Sequence, residues 1–244
     1  ICQNPTPAQL ESIRAFSIDL KSKNTYKECE EYFQELKGTF EIRNDSVFNL
    51  TGISNFDFLA AFNELREMTL FVKGGKFSID FSPIEKLSKL EKINIYQVIL
   101  RDDHHNLLNP DHLNVNSIGR ISKLEELKLE NIKFKNIEYV ANLKELSVLR
   151  LAAGNISDVS ALSELTGLEY LDLSRNPITD IGALKKLNKL KTLRLHLTLV
   201  RDISALSSMR DLQDLIVVNS ELRDEKVERL SDISPLRNLT NLEI

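Results

Sequence analysis

From residue 124 onward the apolar positions keep a fixed rhythm. Leu124-Glu-Glu-Leu127-Lys-Leu129, Leu146-Ser-Val-Leu149-Arg-Leu151, Leu168-Glu-Tyr-Leu171-Asp-Leu173, Leu190-Lys-Thr-Leu193-Arg-Leu195 and Leu212-Gln-Asp-Leu215-Ile-Val217 share one pattern, and their starts lie 22 residues apart. The last two apolar residues of each alternate with an outward one, which predicts a strand with one buried face. A second motif fixes the phase. Asp158-Val159, Asp180-Ile181 and Asp202-Ile203, followed by Leu162, Leu184 and Leu206, stand ten residues before the next start. Weaker copies at Asn55-Phe56, Asp80-Phe81, Asn114-Val115 and Asn136-Ile137 keep that offset, as does Asp232-Ile233 ahead of Leu242. They carry the array back to starts at Leu65 and Leu90; spacings of 25, 34 and 30 mark insertions.

One such unit cannot close its own core, so neighbours stack and their strands pair in parallel. The expected fold is α/β: a right-handed solenoid whose curved parallel sheet of about eight strands forms a concave face. The strands should centre on Ile42, Leu70, Ile95, Leu129, Leu151, Leu173, Leu195 and Val217. Their outward residues line up in columns. The middle column reads Glu41, Thr69, Asn94, Lys128, Arg150, Asp172, Arg194 and Ile216. Two residues on stand Arg43, Phe71, Tyr96, Glu130, Ala152, Ser174, His196 and Val218; two residues before stand Thr39, Glu67, Lys92, Glu126, Val148, Tyr170, Thr192 and Asp214.

Residues 1–37 do not follow the rhythm. Leu10, Ile13 and Phe16 have helical spacing behind Pro7, and Thr25 with Glu28 forms a capping box ahead of Tyr32, Phe33 and Leu36. Two short helices here would cover the open edge of the first repeat. The expected organisation is an N-terminal helical cap over 1–37 and repeats over 38–244. The repeats are irregular over 38–123, regular over 124–223, and closed by one with an insertion over 224–244.

Composition sharpens this picture. Gly (8) and Pro (6) are scarce and Trp is absent, so Leu and Ile must supply most of the core. A net charge of −4 on a mixed-sign surface argues against non-specific nucleic-acid binding, which needs a basic footprint. No window approaches 18 consecutive apolar residues, so no membrane-spanning helix is expected. The chain begins at Ile1, which is compatible with a removed signal peptide or with trimming.

The repeats resemble the leucine-rich-repeat family in its 22-residue form, that of internalin-like bacterial surface proteins and of a nuclear phosphatase regulator. Leu171-Asp-Leu173-Ser-Arg-Asn176-Pro-Ile178-Thr-Asp180-Ile181 is the best copy, and the resemblance covers about residues 36–244. The family's turn-tying Asn occurs only at Asn176; Ile132, Gly154, Thr198 and Ser220 replace it, so the ladder of turn hydrogen bonds should be incomplete. Cys2 and Cys29 resemble the cysteines of exported bacterial caps of this family, which implies a disulfide closing the cap and an oxidising compartment. Two reduced thiols, or a lipid-modified Cys2, are the alternatives.

Catalytic chemistry finds no foothold. There is no glycine-rich phosphate loop, no Cys stands near the histidines, and the Asp of each Asp-Ile motif recurs with the repeat, as a structural residue does. Asp102, Asp103, His104, His105, Asp111 and His112 gather in the insertion over 99–113, where a solvated polar loop is expected rather than a metal site. No cofactor is expected. The candidate binding residues are Arg150, Asp172, Arg194, Tyr170, His196 and Lys128, with Phe71 and Tyr96 as an aromatic pair on adjacent strands. Aromatic and Arg groups of this kind anchor protein interfaces. The function implied is recognition of a protein, or secondarily a glycan, by a secreted, periplasmic or cell-surface module. A cytoplasmic scaffold that regulates an enzyme, or the recognition arm of a larger adhesin or enzyme, are the competing readings.

Overall fold

The alternating leucines build parallel strands. The computed structural model describes residues 15–18, 38–43, 65–73, 82–98, 100–101, 107–108, 115–134, 136–218, 230 and 232–243. The chain forms two compact units, residues 1–124 and 125–244, divided where the regular repeats begin.

In the first unit, β1 (Ala15–Ile18), β2 (Gly38–Arg43), β3 (Leu65–Lys73) and β4 (Lys92–Val98) pair in parallel in chain order. β1 departs from the sequence reading, which ends a helix at Phe16. Phe16 pairs with Phe40 and Ile18 with Ile42. Phe16, Ile18 and Leu20 alternate with polar residues just as Phe40 and Ile42 do, and that period of two wins at this point. Cys2, Cys29 and the rest of the expected cap lie outside the described residues. The 99–113 insertion contributes an antiparallel pair, β5 (Leu100–Arg101) with β6 (Leu107–Leu108); its histidines also lie outside.

The second unit holds β7 (Glu126–Glu130), β8 (Val148–Ala152), β9 (Tyr170–Asp172), β10 (Thr192–Arg194) and β11 (Asp214–Ile216), again parallel in chain order. Leu127, Leu149, Leu171 and Leu193, and Leu129, Leu151, Leu173 and Leu195 two residues later, are completely buried. The later strands are shorter than expected, so Leu173, Leu195 and Val217 follow β9, β10 and β11 instead of centring them. The ladder runs on briefly: Leu173 N donates to Arg194 O at 2.9 Å and Leu195 N to Ile216 O at 2.7 Å. It ends because the chain then turns through a left-handed residue. Asn131, Ala153, Arg175 and Leu197, again 22 apart, all have φ between 56° and 61°. A non-glycine residue there costs about 1 kcal/mol. The left-handed residue's own N–H still reaches the neighbouring repeat, as in Arg175 N to His196 O at 2.7 Å.

The return segments coil into short 3-10 turns, including Ser160–Leu162, Gly182–Lys186, Ser204–Ser208 and Ser234–Asn238. The motif Asp starts each one. Asp158 Oδ1 accepts from Ser160 N at 2.8 Å, Asp180 from Gly182 N at 2.7 Å, Asp202 from Ser204 N at 2.7 Å and Asp232 from Ser234 N at 2.8 Å. Donation from the backbone of Ser160 and Ser204 holds Asp158 and Asp202 below the ordinary carboxylate pKa, and the Ser234 hydroxyl does most for Asp232. A depressed folded pKa stabilises above the unfolded value, so this contribution is lost as pH falls through the folded one.

The turn ladder is incomplete, as Asn176 being alone implies. Its Oδ1 accepts from Gly154 N at 2.9 Å and Ile156 N at 3.0 Å, and its Nδ2 donates to Leu151 O at 2.7 Å and Leu173 O at 2.8 Å. Thr198 replaces this with one bond, from Oγ1 to Leu195 O at 2.8 Å. At Gly154 the space is taken. A Cβ there would stand 2.5 Å from Cδ2 and Cε2 of the buried Phe134 ring. One repeat has exchanged its polar tie for an aromatic plug.

Candidate functional site

Each unit reproduces the expected columns within itself. In the first, Glu41, Thr69 and Asn94 are in register, as are Arg43, Phe71 and Tyr96. Phe71 therefore stands opposite Tyr96, which is half-buried. Asn94 is buried and its Nδ2 donates to Thr69 Oγ1 at 3.3 Å. In the second unit Lys128, Arg150, Asp172, Arg194 and Ile216 form one line, beside Glu126, Val148, Tyr170, Thr192 and Asp214.

The second unit's face is organised by charge. Lys128 Nζ donates to Glu126 Oε1 at 2.5 Å on its own strand. Arg150 Nη2 lies 3.0 Å from Glu130 Oε2, and its Nε lies 3.4 Å from Asp172 Oδ2. Asp172 Oδ1 also accepts from Ser174 N at 3.0 Å. Asp172 is therefore not the exposed rung of the sequence reading. It is only 3% exposed, a short side chain in the floor beneath a longer arginine. Arg194 turns the other way. Its Nη2 reaches Asp214 Oδ2 at 3.5 Å, and its guanidinium carbon stands 5.7 Å from the Tyr170 ring centroid, within cation–π range.

The expected Arg-Asp-Arg ladder thus separates into two clusters, Arg150 with Glu130 and Asp172, and Arg194 with Asp214 and Tyr170. Glu130 and Asp214 were not singled out from the sequence, although both stand in the flanking columns, diagonal to the arginines they meet. Arg175 was also missed, because nothing in the repeat marks its left-handed turn. Arg175 and His196 join Glu130, Arg150, Asp172 and Arg194 around a shallow cleft of about 400 Å³. The Nε atoms of Arg150 and Arg194 are buried and make no hydrogen bond among the described residues; Arg150 Nε meets Asp172 as an ion pair without hydrogen-bond alignment. The face offers fixed cationic forks, an aromatic ring and a polar floor, which is chemistry suited to recognition.

Comparison with known proteins agrees with this geometry. A family model described as leucine-rich repeats (2 copies) matches residues 166–220. No curated protein matches the sequence. Among solved structures the chain is similar to internalin C2 from Listeria monocytogenes, at 25% identity and a TM-score of 0.67, over 98% of this chain and 83% of that one. It shares the fold of a leucine-rich-repeat protein from Leptospira interrogans, at 18% identity and a TM-score of 0.69, over 96% of this chain and 54% of that one. No helix among the described residues is long and apolar enough to cross a membrane. The 22-residue register, the buried leucine columns, the Asp-started return turns and these likenesses together show a leucine-rich-repeat fold similar to that of the internalins.

Proposed function

We propose that this chain is an exported binding module that recognises a protein through the sheet face of residues 125–244. The observation that carries the reading is the cleft shared by Arg150, Arg194, Arg175 and His196, beside Tyr170, on a scaffold of five in-register strands. Repeat solenoids use such faces as extended binding surfaces. Arginine and tyrosine are enriched among the residues that dominate interface energies, and an arginine already held near a ring gives up less freedom on docking.

Arg194 is the informative residue to change. Arg150→Ala would strip the buried Asp172 of its cation and cost about 1–3 kcal/mol of folding. Among the described residues Arg194 pairs only with the half-exposed Asp214, a contact worth about 0–1 kcal/mol. In Arg194→Ala/His196→Ala, affinity for a partner recovered by cross-linking should fall about tenfold or more, about 1.4 kcal/mol. Thermal stability should barely move, and Lys185→Ala/Lys186→Ala on a return turn should leave affinity unchanged. Unaltered affinity in the first variant would move the site to the Phe71 and Tyr96 strands.

Export rests on Cys2 and Cys29, which we read as a disulfide of the N-terminal segment. Intact-mass measurement of the native, non-reduced protein should show both thiols resistant to alkylation until reductant is added. Alkylation of both beforehand would remove the export half of the reading.

A further inference from the structure

The charges around the cleft are unevenly engaged. Arg150 meets both of the cleft's carboxylates, Glu130 and Asp172. Asp172 also stands in register with Arg194, and Arg175 and His196 complete the cationic lining. Among the described residues Arg194 forms an ion pair with Asp214 alone, at 3.5 Å from the flanking column, and its Nε is buried without a hydrogen bond. Arg175 is exposed, held at the rim by its left-handed turn, and has no ion pair among the described residues. The Arg194 guanidinium carbon lies 5.7 Å from the Tyr170 ring centroid. With Arg194 Nε buried and its Nη2 near Asp214, the exposed Arg175 guanidinium is the fork most open to a planar acceptor.

Resting on the proposed binding face, we infer that Arg175, with Arg194 and His196 beside it in the cleft, receives a carboxylate side chain from an acidic polypeptide segment. A carboxylate suits the site better than a phosphate. Asp172 and Asp214 flank Arg194, and a second negative charge would meet them without a further cation to offset it. The site is local, since the chain as a whole carries −4 and would repel an acidic segment elsewhere.

The probe is fluorescein-labelled hexaglutamate, followed by anisotropy on the full chain at low ionic strength, with hexaglutamine as the neutral control. Hexaglutamate should bind saturably and hexaglutamine should not. Arg194→Gln/Arg175→Gln should weaken binding by about tenfold or more, while Lys185→Gln leaves it unchanged. Binding that is unaffected by Arg194→Gln/Arg175→Gln would overturn the inference. So would tighter, Arg194-dependent binding of a phosphoserine peptide of equal length. If Arg194→Ala/His196→Ala abolishes partner binding while hexaglutamate never binds, the face stands and the acidic ligand falls. If partner affinity survives that variant while hexaglutamate binding depends on Arg194, the carboxylate site stands and the proposed partner face falls.

Discussion

Asn176→Ala is expected to lower folding stability by about 4 kcal/mol, because it strands several buried backbone groups at once. The amide is 2% exposed and ties Gly154 N and Ile156 N in one repeat to Leu173 O in its own. Alanine supplies no partner, and the site has no room for the chain to relax towards water. Urea unfolding should report the loss as a lower midpoint, with amide exchange at Gly154 and Ile156 accelerating ahead of global unfolding. The same substitution at Thr198, which makes a single such bond, should cost about 1 kcal/mol. Equal losses at the two positions would show that the ladder is not what joins these repeats.

Gly154→Asn is expected to cost about 3 kcal/mol, although it installs the residue that the family uses at this point of the repeat. The new Cβ would sit 2.5 Å from two carbons of the Phe134 ring and 3.2 Å from Ile132 O, so the buried ring or the turn backbone must move. Phe134→Ala alone should also destabilise, by leaving a cavity. In the double variant the asparagine occupies part of that space, and the loss should be smaller than the sum of the two single losses. Thermal denaturation of the three variants checks this; strict additivity would mean that ring and glycine do not compete for one volume.

These two cases mark the limit of what a repeat pattern discloses. Leu171 and Leu173, like their equivalents 22 residues away, are in the core because alternation leaves them no other face, and the columns follow from the same arithmetic. The absence of Asn at 154 is visible in the chain, but its cause is Phe134, 20 residues earlier, and only packing connects them. The site shows the same division. Register alone puts Arg150, Asp172 and Arg194 in one line. Which carboxylate each arginine takes depends on side-chain length and diagonal reach, so Glu130 and Asp214 enter and Asp172 sinks into the floor. Arg175 reaches the cleft through a left-handed turn that its residue type does not favour. The strand at Ala15–Ile18 was obscured by a different conflict: Leu10, Ile13 and Phe16 fit a helix, while Phe16 and Ile18 fit a strand, and pairing with β2 decides between them.

The claim that the sheet face of residues 125–244 is where the partner sits is tested most directly by placing a photo-reactive benzoylphenylalanine at single positions. Thr192 lies on the face between Tyr170 and Asp214, and Lys185 lies on a return turn. Irradiation of the complex should cross-link the partner from position 192 and not from 185. Cross-links from 185 with none from 192 would contradict the account.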